Sequence, residues 1–285
     1  MKGQLKIIIA MIIFGSIGVF VKRINLTSLE IAFLRALIGS VFLLVAGIIV
    51  KQKISWQKIK ANIYLLVLSG AAIGFNWIML FQGYKYTTIS NATLAYYFAP
   101  VFALVLSPIV LKEKLTTTKI ACIPIAIVGL FLVININNSG GGNLYQHTKG
   151  IGYALGGAGL YASVVLMNKL IKGLTSFEIT LIQLIVATII LLPSILIQGG
   201  LNISGMDGIG WFFIIILGVI HTGIGYLLYF TSVSQLRGQS VAMLSYIDPI
   251  AAIIISALVF GETMNIIQLL GGILILGSTV PFQKD

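Results

Sequence analysis

Ten stretches of this chain are long, apolar and almost free of charge: 4–22, 28–50, 60–82, 89–111, 118–136, 149–169, 176–198, 208–232, 239–260 and 265–282. A bilayer core about 30 Å thick is crossed by about 20 apolar residues rising 1.5 Å each. In hydrocarbon every backbone polar group must be paired internally, which leaves helices and closed barrels. The runs are too long for barrel strands and lack their strict alternation. They predict ten transmembrane helices, spans 1 to 10, in an all-α integral membrane protein. Composition agrees: 58% of residues are hydrophobic, 9% are charged and the mean hydropathy is +1.07, whereas soluble domains carry about 25% charged residues. The first run begins a series of spans and has no small-residue cleavage site after it, so it reads as a retained helix.

The net charge of +11 is placed by topology and not by a nucleic-acid partner. With the N-terminus inside, the inner segments hold 13 basic residues: Lys2, Lys6, Lys51, Lys53, Lys58, Lys60, Lys112, Lys114, Lys119, Lys169, Lys172, Arg237 and Lys284. The outer loops hold 4, namely Lys22, Arg23, Lys85 and Lys149. Cytoplasmic loops favour Lys and Arg, which predicts a multi-pass plasma-membrane protein with both termini in the cytoplasm. Attraction to anionic lipid heads accounts for the basic excess, and the lipid bilayer is the expected partner.

The chain also repeats itself. A shift of 149 residues places Gly74 on Gly223, Trp77 on Tyr226, Phe81 on Phe230, Tyr97 on Tyr246, Pro100 on Pro249, Ser107 on Ser256 and Glu113 on Glu262. A shift of 148 places "LTSLEI" (26–31) on "LTSFEI" (174–179). The halves are 1–136 and 149–285, joined by the polar, Gly-rich segment 137–148, "NNSGGGNLYQHT". Five spans is an odd number, so the second copy enters the membrane from the other side. Inverted repeats of this kind build secondary transporters, whose substrate site lies near the midplane between the copies. The basic residues follow the inversion: Lys112-Glu113-Lys114 closes span 4, whereas the same place in span 9 reads Gly261-Glu262-Thr263.

Pro100 and Pro249 each stand 13 residues before their glutamate, or about 20 Å along a helix, inside spans 4 and 9. Each predicts a kink and freed carbonyls, tolerated where the backbone faces a cavity.

The paired ten-span layout, Arg35 within "AFLRALIG" (32–39), "FGSIGVFVK" (14–22) and the Pro…Glu endings at 100–113 and 249–262 resemble the EamA family of the drug/metabolite transporter superfamily. The resemblance covers nearly the whole chain. It implies two EamA repeats around a cavity lined mainly by spans 1, 3, 4, 6, 8 and 9, with spans 5 and 10 peripheral. It also implies transport of amino acids or other small metabolites, often export. Phe14 stands where family members often have Trp before the Gly of span 1, and Gln183 stands in the second repeat where the first has Arg35.

Ionisable groups within spans are costly and mark function by default. Arg35 reads as a carboxylate anchor or as a structural hydrogen-bond donor between helices, with Glu30 within snorkelling reach. Asp248, beside Pro249, lies about 15 Å deep, and His221 in span 8 lies at similar depth. The repeat equivalents are Ala99 and Ala72, so coupling or selectivity is expected at this asymmetric pair. Trp77, Tyr97, Tyr226 and Tyr246, paired across the repeats, are the candidate aromatic wall, with Asn76 as a polar handle. Gly70-x-x-x-Gly74 and Gly152-x-x-x-Gly156 predict close helix packing. Glu113 and Glu262 read as caps for the N-termini of spans 5 and 10.

The lone cysteine, Cys122, forms no intramolecular disulfide, and the two histidines, His147 and His221, lack ligand spacing, so no metal or other cofactor is expected. There is no P-loop for ATP and no cluster of catalytic groups at one membrane face, so an enzyme is not expected. The leading expectation is a secondary-active exporter of small metabolites such as amino acids, working by alternating access. The alternative is a multidrug or organic-cation exporter coupled to protons through Asp248. The partner is a small-molecule substrate, and a homodimer through spans 5 and 10 is allowed but not required.

Overall fold

The computed structural model describes residues 2–135, 146–233 and 235–280. The first nine residues of the expected linker 137–148 lie outside them, as does Lys284. The elements, in order, are α1 (Lys2–Arg23), α2 (Ser28–Ile49), the short α3 (Trp56–Ala61), α4 (Ile63–Tyr86), α5 (Ile89–Tyr96), α6 (Ala99–Val110), α7 (Thr117–Asn135), α8 (His147–Leu170) and α9 (Ser176–Ile197). A 3₁₀ turn (Ile203–Gly205) precedes α10 (Gly208–Ile216), a π-helical stretch (Leu217–Ile224) and α11 (Gly225–Val233). The chain continues through α12 (Gly238–Ser245), α13 (Ile247–Phe260) and α14 (Ile266–Thr279). Among the described residues nine helical stretches are long and apolar enough to cross a membrane, and the shorter Ile266–Thr279 completes the ten spans. Spans 4 and 9 are each two helices (α5 with α6, α12 with α13), and span 8 is α10, the π stretch and α11. The protein is a multi-pass membrane protein.

The repeated hexapeptides form matching N-termini. Thr27 accepts from the Glu30 amide while Glu30 accepts from the Thr27 amide, which is a capping box opening α2. Thr175 and Glu178 do the same for α9. Each glutamate then reaches across to the other half. Glu30 Oε1 accepts from the Asn202 amide at 2.7 Å, in the loop after span 7. Glu178 Oε1 accepts from the Ser55 amide at 2.7 Å, in the loop after span 2. Spans 2 and 7 are thereby stapled antiparallel, one staple at each end.

The packing obeys the exchange of each span with the span five later. Span 3 packs on span 6 and span 8 on span 1; span 1 packs on span 9 and span 6 on span 4; span 3 packs on span 7 and span 8 on span 2. Spans 2 and 7, and spans 5 and 10, pair with their own equivalents. An exchange that also reverses direction is the inverted repeat. Spans 5 and 10 meet at glycines: a Cβ on Gly129 would lie 2.7 Å from the Gly271 carbonyl oxygen, and one on Gly271 would lie 2.6 Å from that of Gly129. Their other faces expose Ile127, Phe131, Leu269 and Ile273, as lipid-facing surfaces do.

The expected glycine contacts divide. Gly70 and Gly74 pack on Val186 and Leu191 of span 7, whereas Gly152 faces open space and Gly156 only the tip of Met79. In span 6 Gly150 and Gly157 make the close approaches instead, against Thr87 and the Asn76 carbonyl.

Candidate substrate cavity

The prolines do not kink continuous helices. Span 4 stops at Tyr96, and a new helix starts at Ala99 with Pro100 in its first turn. Span 9 breaks at Tyr246, and Pro249 is in the first turn of α13. A first-turn amide has no intrahelical acceptor, so a proline there costs little and breaks the span at a fixed depth. The residues on either side of the two breaks line a central cavity with two connected lobes.

The inner lobe, about 290 Å³, is bounded by Phe14, Ile17, Arg35, Trp77, Tyr84, Thr93, Tyr96, Tyr97, Pro100, Tyr161, Tyr226 and Asp248. The outer lobe, about 780 Å³, shares Phe14, Tyr97, Tyr161, Tyr226, Ser245 and Asp248 with it and runs out past Gln183, Thr180 and Lys169 to Ser176 and Val233. These last residues lie at the face that also carries Glu113 and the segment 51–60, the lysine-rich face. The lining comes from spans 1, 3, 4, 6, 8 and 9, with contributions from spans 2 and 7.

Asp248 Oδ2 accepts a 2.6 Å hydrogen bond from the Tyr97 hydroxyl, joining the breaks of spans 4 and 9. Arg35 is buried, and its Nε donates to Thr222 Oγ1 at 2.8 Å. Its guanidinium lies 4.1 Å from the Trp77 ring centroid and 5.7 Å from that of Phe81. A planar cation on an aromatic face gains up to about 2 kcal/mol when desolvated. Among the described residues Thr222 is its one hydrogen-bond acceptor, so the terminal nitrogens remain for a ligand. Thr93 Oγ1 is buried in the same wall beside Tyr84. Glu30 is occupied by its capping box and by Asn202 and does not pair with Arg35.

Span 8 turns with a π register over Leu217–Ile224. The wider turn directs side-chain bonds five residues back: Thr222 Oγ1 donates to the Leu217 carbonyl, and His221 Nδ1 lies 3.2 Å from the Ile216 carbonyl. π turns recur at functional sites. Here the turn holds the hydroxyl that orients Arg35. Thr222 and the π turn are absent from the sequence reading; the glycines at 218, 223 and 225 were the available signal.

The remaining expected residues divide. Trp77, Tyr97, Tyr226, Arg35 and Asp248 meet in the inner lobe. Asn76 does not line it: its side chain donates to the Gly157 carbonyl at 2.7 Å and pairs with Tyr96, tying span 3 to span 6. Tyr246 turns away to span 10 and bonds Thr279. His221 packs on Phe20 and bonds Ser16 Oγ at 2.9 Å, so no direct bond links it to Asp248 among the described residues. Tyr161, stacked obliquely on Tyr96 with ring centroids 5.7 Å apart, lines both lobes and is the aromatic the repeat comparison did not single out.

The opposite face is shut. Ser90 and Ser256 hydroxyls lie 3.0 Å apart between spans 4 and 9. A Cβ on Gly15 would lie 2.6 Å from the Asp248 carbonyl oxygen, so span 1 presses on span 9 beside the site. Glu262 does not cap span 10, whose cap is Asn265 boxed with Gln268. It accepts instead from the Ile89 amide at 2.8 Å and from Lys22 at 2.7 Å. Glu113 does not cap span 5 and lies 3.5 Å from Lys169.

The model of the EamA-like transporter family matches residues 1–135 and 148–281. An uncharacterized transporter of Bacillus subtilis, YxxF, is 32% identical over 272 residues, covering 95% of this chain and 86% of its own length. Solute carrier family 35 member G1 of Homo sapiens is 24% identical, covering 94% of this chain and 75% of its own length. A protein known from a crystal structure superposes with a TM-score of 0.62 at 16% identity, over 97% of this chain and 96% of the other, which is a likeness of fold.

Proposed function

Since the chain belongs to the EamA-like transporter family, a membrane transporter of the drug/metabolite superfamily, we propose that it carries a small zwitterion, an amino acid foremost, by secondary-active alternating access. The observation that supports this is one acid and one base in a single small aromatic lobe. Asp248 and Arg35 both line the inner lobe with Trp77, Tyr97, Tyr161 and Tyr226. A guanidinium with unused donors takes a carboxylate in a bidentate grip. A carboxylate among ring faces takes an ammonium. The tyrosines and Phe14 leave an apolar wall for the side chain. About 290 Å³ is at the lower end of the range of small-molecule sites, which suits a solute of amino-acid size.

The bias of 13 basic residues against 4 supports both termini in the cytoplasm of a plasma membrane. The open lobe then faces the cytoplasm, as substrate loading for export requires. A solute gradient or proton gradient drives the cycle, with Asp248 as the coupling group.

The test is flux into proteoliposomes of labelled neutral amino acids and of lipophilic organic cations, with and without a pH gradient. Amino-acid flux that falls in both Arg35→Gln and Asp248→Asn supports the reading. A second reading, an organic-cation exporter coupled to protons through Asp248, is favoured by the single carboxylate among tyrosines. It predicts cation flux that survives Arg35→Gln and disappears in Asp248→Asn. Flux of neither class overturns both.

A further inference from the structure

We propose that Glu262 and Glu113 are the two latches of a reciprocal gate, each built to fasten three spans at its own face, and that this structure shows Glu262 fully latched and Glu113 half-fastened, holding Lys169 alone in a long, exposed pair. Glu262 spends both carboxylate oxygens on other spans. Oε1 accepts from Lys22, one residue before the end of α1, at 2.7 Å. Oε2 accepts from the amide of Ile89, the first residue of α5, at 2.8 Å. One side chain at the end of span 9 therefore pins span 1 and the outer half of broken span 4. The pair is sealed from water, with the Lys22 and Glu262 side chains 10% and 6% exposed. Behind it lies the Ser90–Ser256 contact, and beyond that the cavity.

Each component has a counterpart on the lysine-rich face. Glu113 is the repeat equivalent of Glu262. Lys169 stands one residue before the end of α8, as Lys22 does in α1. Gly238 is the first residue of α12, as Ile89 is of α5, and the cap residue of α12, Arg237, makes no side-chain capping bond. Two of the three parts are already together, loosely and in solvent, and among the described residues Glu113 has no bond to the third, the Gly238 amide. Lys169 and Glu113 are 3.5 Å from each other with side chains 56% and 50% exposed; the outer lobe of the cavity opens between Lys169 and Val233 at the end of span 8, and Glu113 lines the adjoining cleft with Lys119, Pro100 and Ser107. The two faces share the latch groups, a glutamate, a lysine and a first-turn amide, although lysines flank Glu113 alone. In the opposite state Glu113 tightens on Lys169 and takes the Gly238 amide, while Glu262 gives up Ile89 and keeps Lys22 only loosely. Inverted repeats exchange conformations when access alternates. A latch made of identical groups at both faces keeps the two states close in free energy, which a reversible cycle needs.

The inference rests on the alternating-access reading, and its test needs no substrate. In a Cys122→Ser background, single reporters Ser256→Cys behind the latched face and Ser245→Cys in the open lobe are labelled with a maleimide on purified protein in detergent, where both faces meet reagent. Glu262→Gln is expected to raise the Ser256→Cys rate about tenfold or more and to lower the Ser245→Cys rate, since removing one member of a buried pair leaves the other charge uncompensated. Lys22→Gln, which retains the bond to Ile89, shifts both rates in the same direction by less. Glu113→Gln leaves the Ser256→Cys rate low. Gel filtration verifies that each variant is folded, and Lys22→Gln decides the matter if Glu262→Gln is not. Equal rates in the parent and in both Glu262→Gln and Lys22→Gln overturn the latch, even if flux establishes transport. Shifted rates without flux of any solute overturn the transport reading and leave the latch standing.

Discussion

Replacing Glu30 with alanine removes three hydrogen bonds at one stroke. The Thr27 amide and hydroxyl each lose an acceptor at 2.8 Å, and the Asn202 amide loses one at 2.7 Å. Glu30 is 3% exposed, so water replaces the carboxylate only in part. Hydrogen bonds to a charged group contribute about 1.5–3 kcal/mol each, and a buried amide left unpaired costs about 1–3 kcal/mol. The carboxylate also faces the positive end of the α2 dipole, for about 0.3–1 kcal/mol. The Thr27 hydroxyl can rotate to another acceptor, and the loop carrying Asn202 can relax toward solvent. A net loss of about 2–4 kcal/mol follows. At roughly 2 °C per kcal/mol for a chain of this size, the melting temperature in detergent falls by about 4–8 °C. Glu30→Gln retains an acceptor at the same position, which the capping box accommodates, and costs less. The inverted repeat makes a stricter demand. Glu178→Ala breaks the equivalent bonds, to Thr175 twice and to Ser55, and should cost a similar amount. The two staples lie at opposite ends of spans 2 and 7 and share no partner, so the double variant should be additive within about 0.5 kcal/mol. Thermal unfolding followed by tryptophan fluorescence measures all three. A Glu30→Ala variant melting within 1 °C of the parent, or one several-fold costlier than Glu178→Ala, would refute the argument.

Arg35→Gln, if the protein carries zwitterions, should raise the KM for an amino acid by about 10-fold to 150-fold, the equivalent of one charge-assisted bond. Arg35→Lys should not restore it, because an ammonium neither grips a carboxylate bidentately nor lies flat on Trp77. Tyr97→Phe removes the hydroxyl on Asp248 and should alter the response of flux to an imposed pH gradient without abolishing flux, whereas Asp248→Asn should remove that response; an unchanged response in both excludes Asp248 from coupling. Gly271→Leu forces spans 5 and 10 apart at the Gly129 carbonyl and should lower the melting temperature by several degrees, at about 1–3 kcal/mol for an overpacked contact; no change in melting would mean that the two spans do not pack at these glycines.

The apolar runs alone determined that the chain crosses a membrane as helices, because hydrocarbon leaves a backbone no other way to satisfy itself. The Pro…Glu spacing and the repeated hexapeptide determined two inverted copies, since five crossings reverse direction whatever the side chains do. The hexapeptide even carries the capping boxes in its Thr-x-x-Glu spacing, and the prolines marked the depth at which spans 4 and 9 are interrupted, though as a kink where the structure has a break between two helices. Only the tertiary structure decided what each polar group holds. Glu262 passes over the span that follows it for Lys22 and Ile89; Asn76 takes the Gly157 carbonyl rather than a place in the cavity; Tyr97 and Tyr246, equivalent in sequence, reach Asp248 and Thr279. The hydrophobic pattern is a local code, readable within each span. A polar group in an apolar interior bonds whatever three-dimensional packing brings within about 3 Å. In an inverted repeat with one face open and the other shut, that packing differs between residues the sequence writes alike.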